Sequence, residues 1–264
     1  LTFGEVAEMA QDRAGQVRAQ IGIAAAARML GKVDDGMAAL DAAEAAGEDE
    51  IMDSARSQIH YFRGTFLFIL GDVAAGVAEQ ERAIAHGEQA NEPEWIARGL
   101  SGLGDAQYAE GRMPTARASF ERCMEICETE GLGQIAVANR YMVLNMHRYL
   151  NDFHRALDGF PAAIETAEQV GNLRAEMLAR LLYGEMLTDA GQCDGALENL
   201  ERALEIIRGF GNRRMEAYIL NHKARAVARN GDAPAGRQII DQAWSLSRET
   251  DTAFIGARIC GTRA

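Results

Sequence analysis

GDAQYAEGRMPTARASFERC, residues 104–123, places its small and bulky residues at intervals that decide the fold. Gly111 is of the residue type that most readily takes the left-handed conformation in which a helix stops and turns. Phe120 and Cys123 follow three apart, the spacing that puts two side chains on one helix face. Gly104 and Ala116 flank the turn with small side chains, which let two helix backbones approach closely. The stretch therefore reads as the end of one helix, a tight turn and the start of another.

The same reading recurs at a period of forty residues. Gly31, Gly71, Gly111, Asn151, Gly191 and Gly231 mark six turns. Five residues after each stand Gly36, Gly76, Ala116, Ala156, Ala196 and Gly236, and twelve after stand Ala43, Ala83, Cys123, Ala163, Ala203 and Ala243. Seven before each stand Ala24, Gly64, Gly104, Leu144, Gly184 and Ala224, where Leu144 is the exception to small size. Between them fall Leu40, Phe120, Phe160, Leu200 and Ile240, then Ile84, Met124, Ile164, Leu204 and Trp244. Each unit is helix, turn, helix. First helices are expected over about 10–30, 51–70, 92–110, 132–150, 172–190 and 212–230, and second helices over about 34–46, 74–90, 114–130, 153–170, 194–209 and 233–249. Pro114 and Pro234 fall in the first turn of their helices, where proline's missing donor costs nothing, and Pro93 opens the third unit in the same way.

A helical hairpin cannot cover its own apolar face, so the units must stack. Connectors such as Gly131-Leu132-Gly133, Gly171-Asn172 and Gly211-Asn212 are too short to link independent domains, which leads us to expect one domain over residues 1–264. Leu1 is not methionine, and Ala264 is equivalent to Gly184 and Ala224 in the middle of a first helix. The expectation is a fragment ending in a seventh first helix cut short.

Composition agrees with an all-α chain: 48% hydrophobic residues can bury a continuous core, while four prolines and 6% aromatics argue against a β-rich fold. Apolar stretches such as Thr65 to Leu70 are far too short for a bilayer and no basic, apolar leader precedes that one, so no membrane contact is expected. Four cysteines do not make a disulfide framework, which fits a reducing cytoplasm. A net charge of −12 disfavours nucleic acid as a partner.

Gly104, Gly111, Ala116, Phe120 and Cys123, and again Gly184, Gly191, Ala196, Leu200 and Ala203, fill the eighth, fifteenth, twentieth, twenty-fourth and twenty-seventh places of a unit that resembles the tetratricopeptide repeat. The resemblance implies an all-α, right-handed α–α superhelix. Two departures stand out. The family's proline is replaced by Glu88, Glu128, Glu168, Arg208 and Arg248, and the repeat is forty residues long rather than about thirty-four. The longer form is similar to repeats in bacterial signalling proteins and large ATP-dependent regulators. More narrowly, the runs Leu100-Ser101-Gly102-Leu103-Gly104-Asp105, Phe120-Glu121-Arg122-Cys123, Val137-Ala138-Asn139-Arg140, Tyr149-Leu150-Asn151-Asp152 and Ser247-Arg248-Glu249-Thr250 resemble the C-terminal region of bacterial adenylate/guanylate cyclases that join a cyclase domain, a P-loop ATPase domain and these repeats. That resemblance covers roughly residues 60–264, contains neither the cyclase core nor a nucleotide-binding loop, and implies a regulatory region with the chemistry elsewhere.

Sharper chemical readings fail on their residues. Gly99 to Gly104 holds three glycines but no closing lysine, and Gly31-Lys32 has no glycine five residues earlier and no hydroxyl after it, so neither is a phosphate-binding loop. Cys123 and Cys127 have the spacing of two zinc ligands, with His147 and His154 as conceivable partners, yet Cys123 fills the repeat's alanine place and reads as packing. The acids Asp34-Asp35 and Glu48-Asp49-Glu50 stand at helix beginnings, where the helix dipole favours them. No serine, histidine and acid recur at a catalytic spacing. We expect no catalytic residue, no metal and no cofactor.

What remains is a surface. The tetratricopeptide resemblance implies that first helices line a concave face through their second, fifth, ninth, twelfth and thirteenth places. Those places give Tyr61 and Phe68; Arg98, Asp105 and Tyr108; Tyr141, Asn145, Arg148 and Tyr149; and Tyr218, Asn221, Arg225 and Arg229. Aromatics with arginines and amides are the makings of a peptide-binding surface. The expected function is a non-catalytic module that binds a protein or peptide, including other domains of a cyclase-like parent. The alternative is the small-molecule or peptide sensor of a bacterial transcriptional regulator.

Overall fold

The computed structural model describes residues 12–46, 52–249 and 259–262. Glu48-Asp49-Glu50, Leu1, Thr250 and Ala264 lie outside the described residues. Among the described residues twelve long helices follow one another: α1 (Arg13–Leu30), α2 (Val33–Ala46), α3 (Asp53–Leu70), α4 (Val73–Ala90), α5 (Pro93–Ala109), α6 (Met113–Glu130), α7 (Gly133–Tyr149), α8 (Phe153–Gln169), α9 (Leu173–Asp189), α10 (Cys193–Gly209), α11 (Arg213–Arg229) and α12 (Ala233–Glu249). Residues 259–262 are helical as well, and no strand occurs among the described residues. The expected helices are present with ends shifted by one or two residues, the first of them described only from Arg13.

All six expected turn residues have positive φ, from 65° at Asn151 to 97° at Gly231. The residue after the turn donates its N–H to the carbonyl five back, as Asp72 does to Leu67 (3.0 Å), Asp152 to His147 (2.9 Å) and Gln192 to Leu187 (2.9 Å), which satisfies carbonyls the helix end leaves open. The short connectors prove to be the same device. Asn91, Gly131, Gly171 and Gly211 are also left-handed, at φ 53°, 70°, 68° and 68°, so from Gly71 to Gly231 the turn recurs every twenty residues and not only every forty. Side-chain caps then start several helices: Asp72, Asn172, Asn212 and Asp232 each accept the N–H three residues on. Pro161 sits inside α8, where its ring can donate nothing to the carbonyl one turn back.

The helices form two compact units, Leu1–Asn139 and Arg140–Ala264, whose boundary falls within α7. In the first unit α1 packs on α2 and α3, α3 on α4 and α5, and α5 on α6. Its core holds Ile21, Leu40, Ile59 and Phe66, and further along Leu100, Cys123 and Ile135. In the second unit α8 packs on α9, α9 on α10 and α11, and α11 on α12, around Phe160 and Met186 and then Leu181, Leu200, Ile219 and Ile240. Burying each such side chain contributes about 1.5–3 kcal/mol.

The small residues are small because something fills their space. A Cβ on Gly104 would lie 2.7 Å from Phe120 Cζ, one on Gly184 2.7 Å from Leu200 Cγ, and one on Gly36 2.2 Å from Phe66 Cζ. Ala43, Ala83, Cys123, Ala203 and Ala243 are fully buried. In the second repeat the bulky place is taken by Gln80, which is buried and lies against the positions of Gly64 and Gly102. Among the described residues no helix is long and apolar enough to cross a membrane.

Candidate functional site

In the first unit, the expected surface residues are partly absorbed into packing. Tyr61 stands edge-on to Phe62 at 5.0 Å and tilted to Trp95 at 5.7 Å. Arg98 lies over the Trp95 ring at 5.3 Å and pairs with Glu94 at 2.8 Å. Asp105 and Tyr108 are half-buried on α5, while Phe68 is exposed near the end of α3.

The second unit gathers the rest. Tyr141, Asn145, Arg148 and Tyr149 come from α7, and Tyr218, Asn221, Arg225 and Arg229 from α11, at spacings of three, four and one that keep each set on one side of its helix. Two residues of α9, Glu185 and Asp189, tie them together. Arg148 Nη2 donates to Glu185 Oε1 at 3.1 Å and to Asp189 Oδ2 at 2.8 Å, and its guanidinium lies 5.6 Å from the Tyr149 ring centroid. Arg225 Nη2 donates to Asp189 Oδ1 at 3.0 Å. Arg229 Nη1 stands 3.4 Å from the same oxygen and donates to the Thr188 carbonyl at 2.9 Å. Three guanidiniums thus converge on one carboxylate. Tyr141 and Tyr218 also rest on the apolar core, and Tyr218 meets the His222 ring edge-on at 4.8 Å.

The electrostatics hold Arg148 charged: desolvation lowers its pKa, but the hydrogen bond and charge of Glu185, aided by Tyr149 and Asp189, raise it above the ordinary value. Asn145 and Asn221 are buried, at 1% and 3% exposure, and the side-chain oxygen of each has no hydrogen-bond partner within the structure. A buried carbonyl in that condition costs the fold about 1–3 kcal/mol; both lie beneath the surface on which Tyr149 and Arg229 are exposed.

Glu185 and Asp189 were not among the residues expected from sequence. The signal for them was present: Glu185 is equivalent to Asp105, Asn145 and Arg225, and Asp189 to Tyr149 and Arg229, in the same forty-residue register. The fifth repeat had simply contributed no aromatic or arginine at those places.

Elsewhere the chemistry is that of packing. Gly99, Gly102 and Gly104 lie inside α5, where added Cβ atoms would meet Ile84, Gln80 and Phe120. The Cys123 thiol donates to the Ala97 carbonyl at 3.2 Å, and burial, with Cys127 beside it, pushes its pKa far up, away from the thiolate form. His147 is buried near Asp152 at 3.4 Å, and His154 is exposed on α8. No group of three or more His, Cys, Asp or Glu that could hold a metal occurs among the described residues.

Comparison with known proteins places this architecture among tetratricopeptide-like helical repeats. No protein-family model matches the sequence. No curated protein matches it either. Solved structures do match in fold. Aspartyl phosphate phosphatase F from Bacillus subtilis superimposes with a TM-score of 0.73 at 11% identity, covering 93% of this chain and 62% of that one. A Rap protein complexed with Competence and Sporulation Factor gives 0.75 at 13%, covering 94% and 67%. The Rap conjugation gene regulator of the plasmid pLS20, in complex with the Phr* peptide, gives 0.68 at 13%, covering 97% and 76%. The chain therefore spans about three fifths of the phosphatase structure and two thirds of the first Rap structure.

Proposed function

We propose that the chain is a non-catalytic interaction module that receives a peptide or protein segment on the face of the second unit formed by α7, α9 and α11. The observation that carries the reading is the exposed ring of Tyr149 together with the part-exposed Arg225 and the exposed Arg229, gathered by Asp189 on one face. An extended peptide carries N–H donors along its length, and a guanidinium set presents donors for carbonyl or carboxylate oxygens. Two of the fold's neighbours are Rap proteins in complex with Competence and Sporulation Factor and with the Phr* peptide, which favours a peptide over a small molecule.

An array of random-sequence peptides probed with the whole chain tests this. Defined peptides are expected to bind, and Tyr149→Ala, which removes an exposed ring from the face, is expected to weaken them at least tenfold with the melting temperature nearly unchanged. An empty array overturns the reading, and so does unchanged binding by that variant.

Folding as one domain belongs to the proposal, with a single cooperative unfolding transition as its measure. So does a cyclase-like signalling parent with cytoplasmic location, supported by the five runs quoted above; the sequence upstream of Leu1 in the gene decides it.

A further inference from the structure

Arginines crowd one part of a chain whose net charge is −12. Beyond the face just described, a cavity of about 300 Å3 opens among α11, α12 and the helical residues 259–262, lined by Arg225, Arg229, Arg237 and Thr262 over an apolar floor that includes Ala224, Gly236 and Ile240. No carboxylate is among its described lining residues. Arg237 is exposed and has no ion pair or hydrogen bond among the described residues. The side chain of Arg229 is 54% exposed and that of Arg225 33%. Asp189 engages one nitrogen of each, which leaves further N–H donors on both guanidiniums. Asp232, just before α12, is committed as the cap of the Ala235 N–H at 3.0 Å.

Apolar floor and arginine rim match one ligand chemistry: a short aliphatic stem ending in a carboxylate. We propose that this cavity anchors an acidic side chain of the bound peptide, so that the partner is an acidic segment. The inference rests on the peptide-binding reading above. Arg229 and Arg237 take the incoming carboxylate, Arg225 is held in place by Asp189, and the stem covers Ala224, Gly236 and Ile240. Planar guanidinium forks suit a carboxylate better than any neutral acceptor.

Fluorescein-labelled hexaglutamate, hexaglutamine and hexalysine peptides, titrated against the chain by fluorescence polarisation, test it. Hexaglutamate is expected to bind at least tenfold more tightly than the other two, to weaken as salt is raised, and to lose at least tenfold in Arg229→Gln/Arg237→Gln with the melting temperature unchanged. Hexaglutamate binding no better than hexaglutamine, or equally to the variant, overturns the proposal. So does a rise in melting temperature with citrate or inorganic phosphate that is lost in Arg229→Gln/Arg237→Gln when hexaglutamate itself does not bind, since the cavity then takes small free anions. The two readings fail separately. Neutral or basic peptides selected on the array and lost in Tyr149→Ala keep the binding face and remove the acidic anchor, whereas an empty array removes both.

Discussion

Leu144 and Gly159 exchange volume across the packing of α7 and α8. A Cβ on Gly159 would stand 2.4 Å from Leu144 Cδ2. The same two places hold Gly104 with Ser119 and Gly184 with Asn199 in the repeats on either side, so the one large residue of the small series is accommodated by the loss of a side chain opposite. Gly159→Ala should therefore depend on its neighbour. With Leu144 present it overpacks, a cost of about 1–3 kcal/mol that outweighs the better helix propensity of alanine. With Leu144→Ala the same change should be neutral or stabilising. A double-mutant cycle by denaturant unfolding is expected to give a coupling of about 1–3 kcal/mol, and additive effects would remove the link.

Two glycines in helix interiors should respond in opposite directions. Gly104 faces the buried Phe120 ring, three of whose carbons would lie within 2.9 Å of an added Cβ, whereas a Cβ on Gly22 would have nothing within 4 Å. Gly22 is exposed on α1. Gly22→Ala is expected to stabilise by about 0.5–1 kcal/mol through backbone entropy and propensity. Gly104→Ala should lose more to overpacking than it gains in propensity, for a net cost of about 1 kcal/mol or more. Urea midpoints of the two variants check the signs.

The turns were the most legible part of the chain. Only glycine and asparagine take positive φ at low cost, so Gly31, Gly71 and Asn151 announce themselves from residue type and interval alone. The second turn series at Asn91, Gly131, Gly171 and Gly211 carried the same signal and was readable only as connectors, because the small-residue pattern beside it lacks the same regularity. Less legible was whatever depends on a partner far along the chain. Gln80 at a bulky place reads as a defect until Gly64 and Gly102 are seen around it. Asp189 gains its role from Arg148, Arg225 and Arg229, about forty residues away on either side, and helical periodicity says nothing of which rotamers meet.

Acid should weaken the first unit through Glu79. Burial raises the pKa of this carboxyl, but the hydrogen bond from His60 Nδ1 at 2.6 Å and the charges of His60, Arg82 and Arg63 outweigh it, leaving the value below the ordinary 4.5. A carboxyl depressed in the folded state contributes stability that is fully present above the unfolded value and is lost as pH falls through the folded one. The melting temperature is thus expected to be flat in this contribution above about pH 4.5 and to drop below it. Glu79→Gln should be less stable at pH 6 and show a shallower fall toward pH 3. Parallel curves for the two proteins would assign the acid sensitivity to other carboxyls, Glu44 first among them, since the hydrogen bond from Arg63 holds its pKa down as well.

Gln80 offers the clearest route to a more stable chain. It is 1% exposed, its Nε2 donates to the Tyr61 carbonyl at 3.2 Å, and its Oε1 is buried with no hydrogen-bond partner. The Tyr61 carbonyl keeps the Thr65 hydroxyl, at 2.9 Å, when Gln80 is replaced, so the donor is the lesser loss and the unpaired oxygen the greater gain. Gln80→Met preserves length and volume between Gly64 and Gly102 and should stabilise by about 1 kcal/mol, a rise of roughly 2–4 °C in a chain of this size. Gln80→Ala removes the same oxygen but leaves the two glycines facing a void, and should destabilise by about 2 kcal/mol or more. The pair separates polarity from packing: if both variants destabilise alike, the amide oxygen is satisfied in solution and the place is held by its hydrogen bonds, not by its shape.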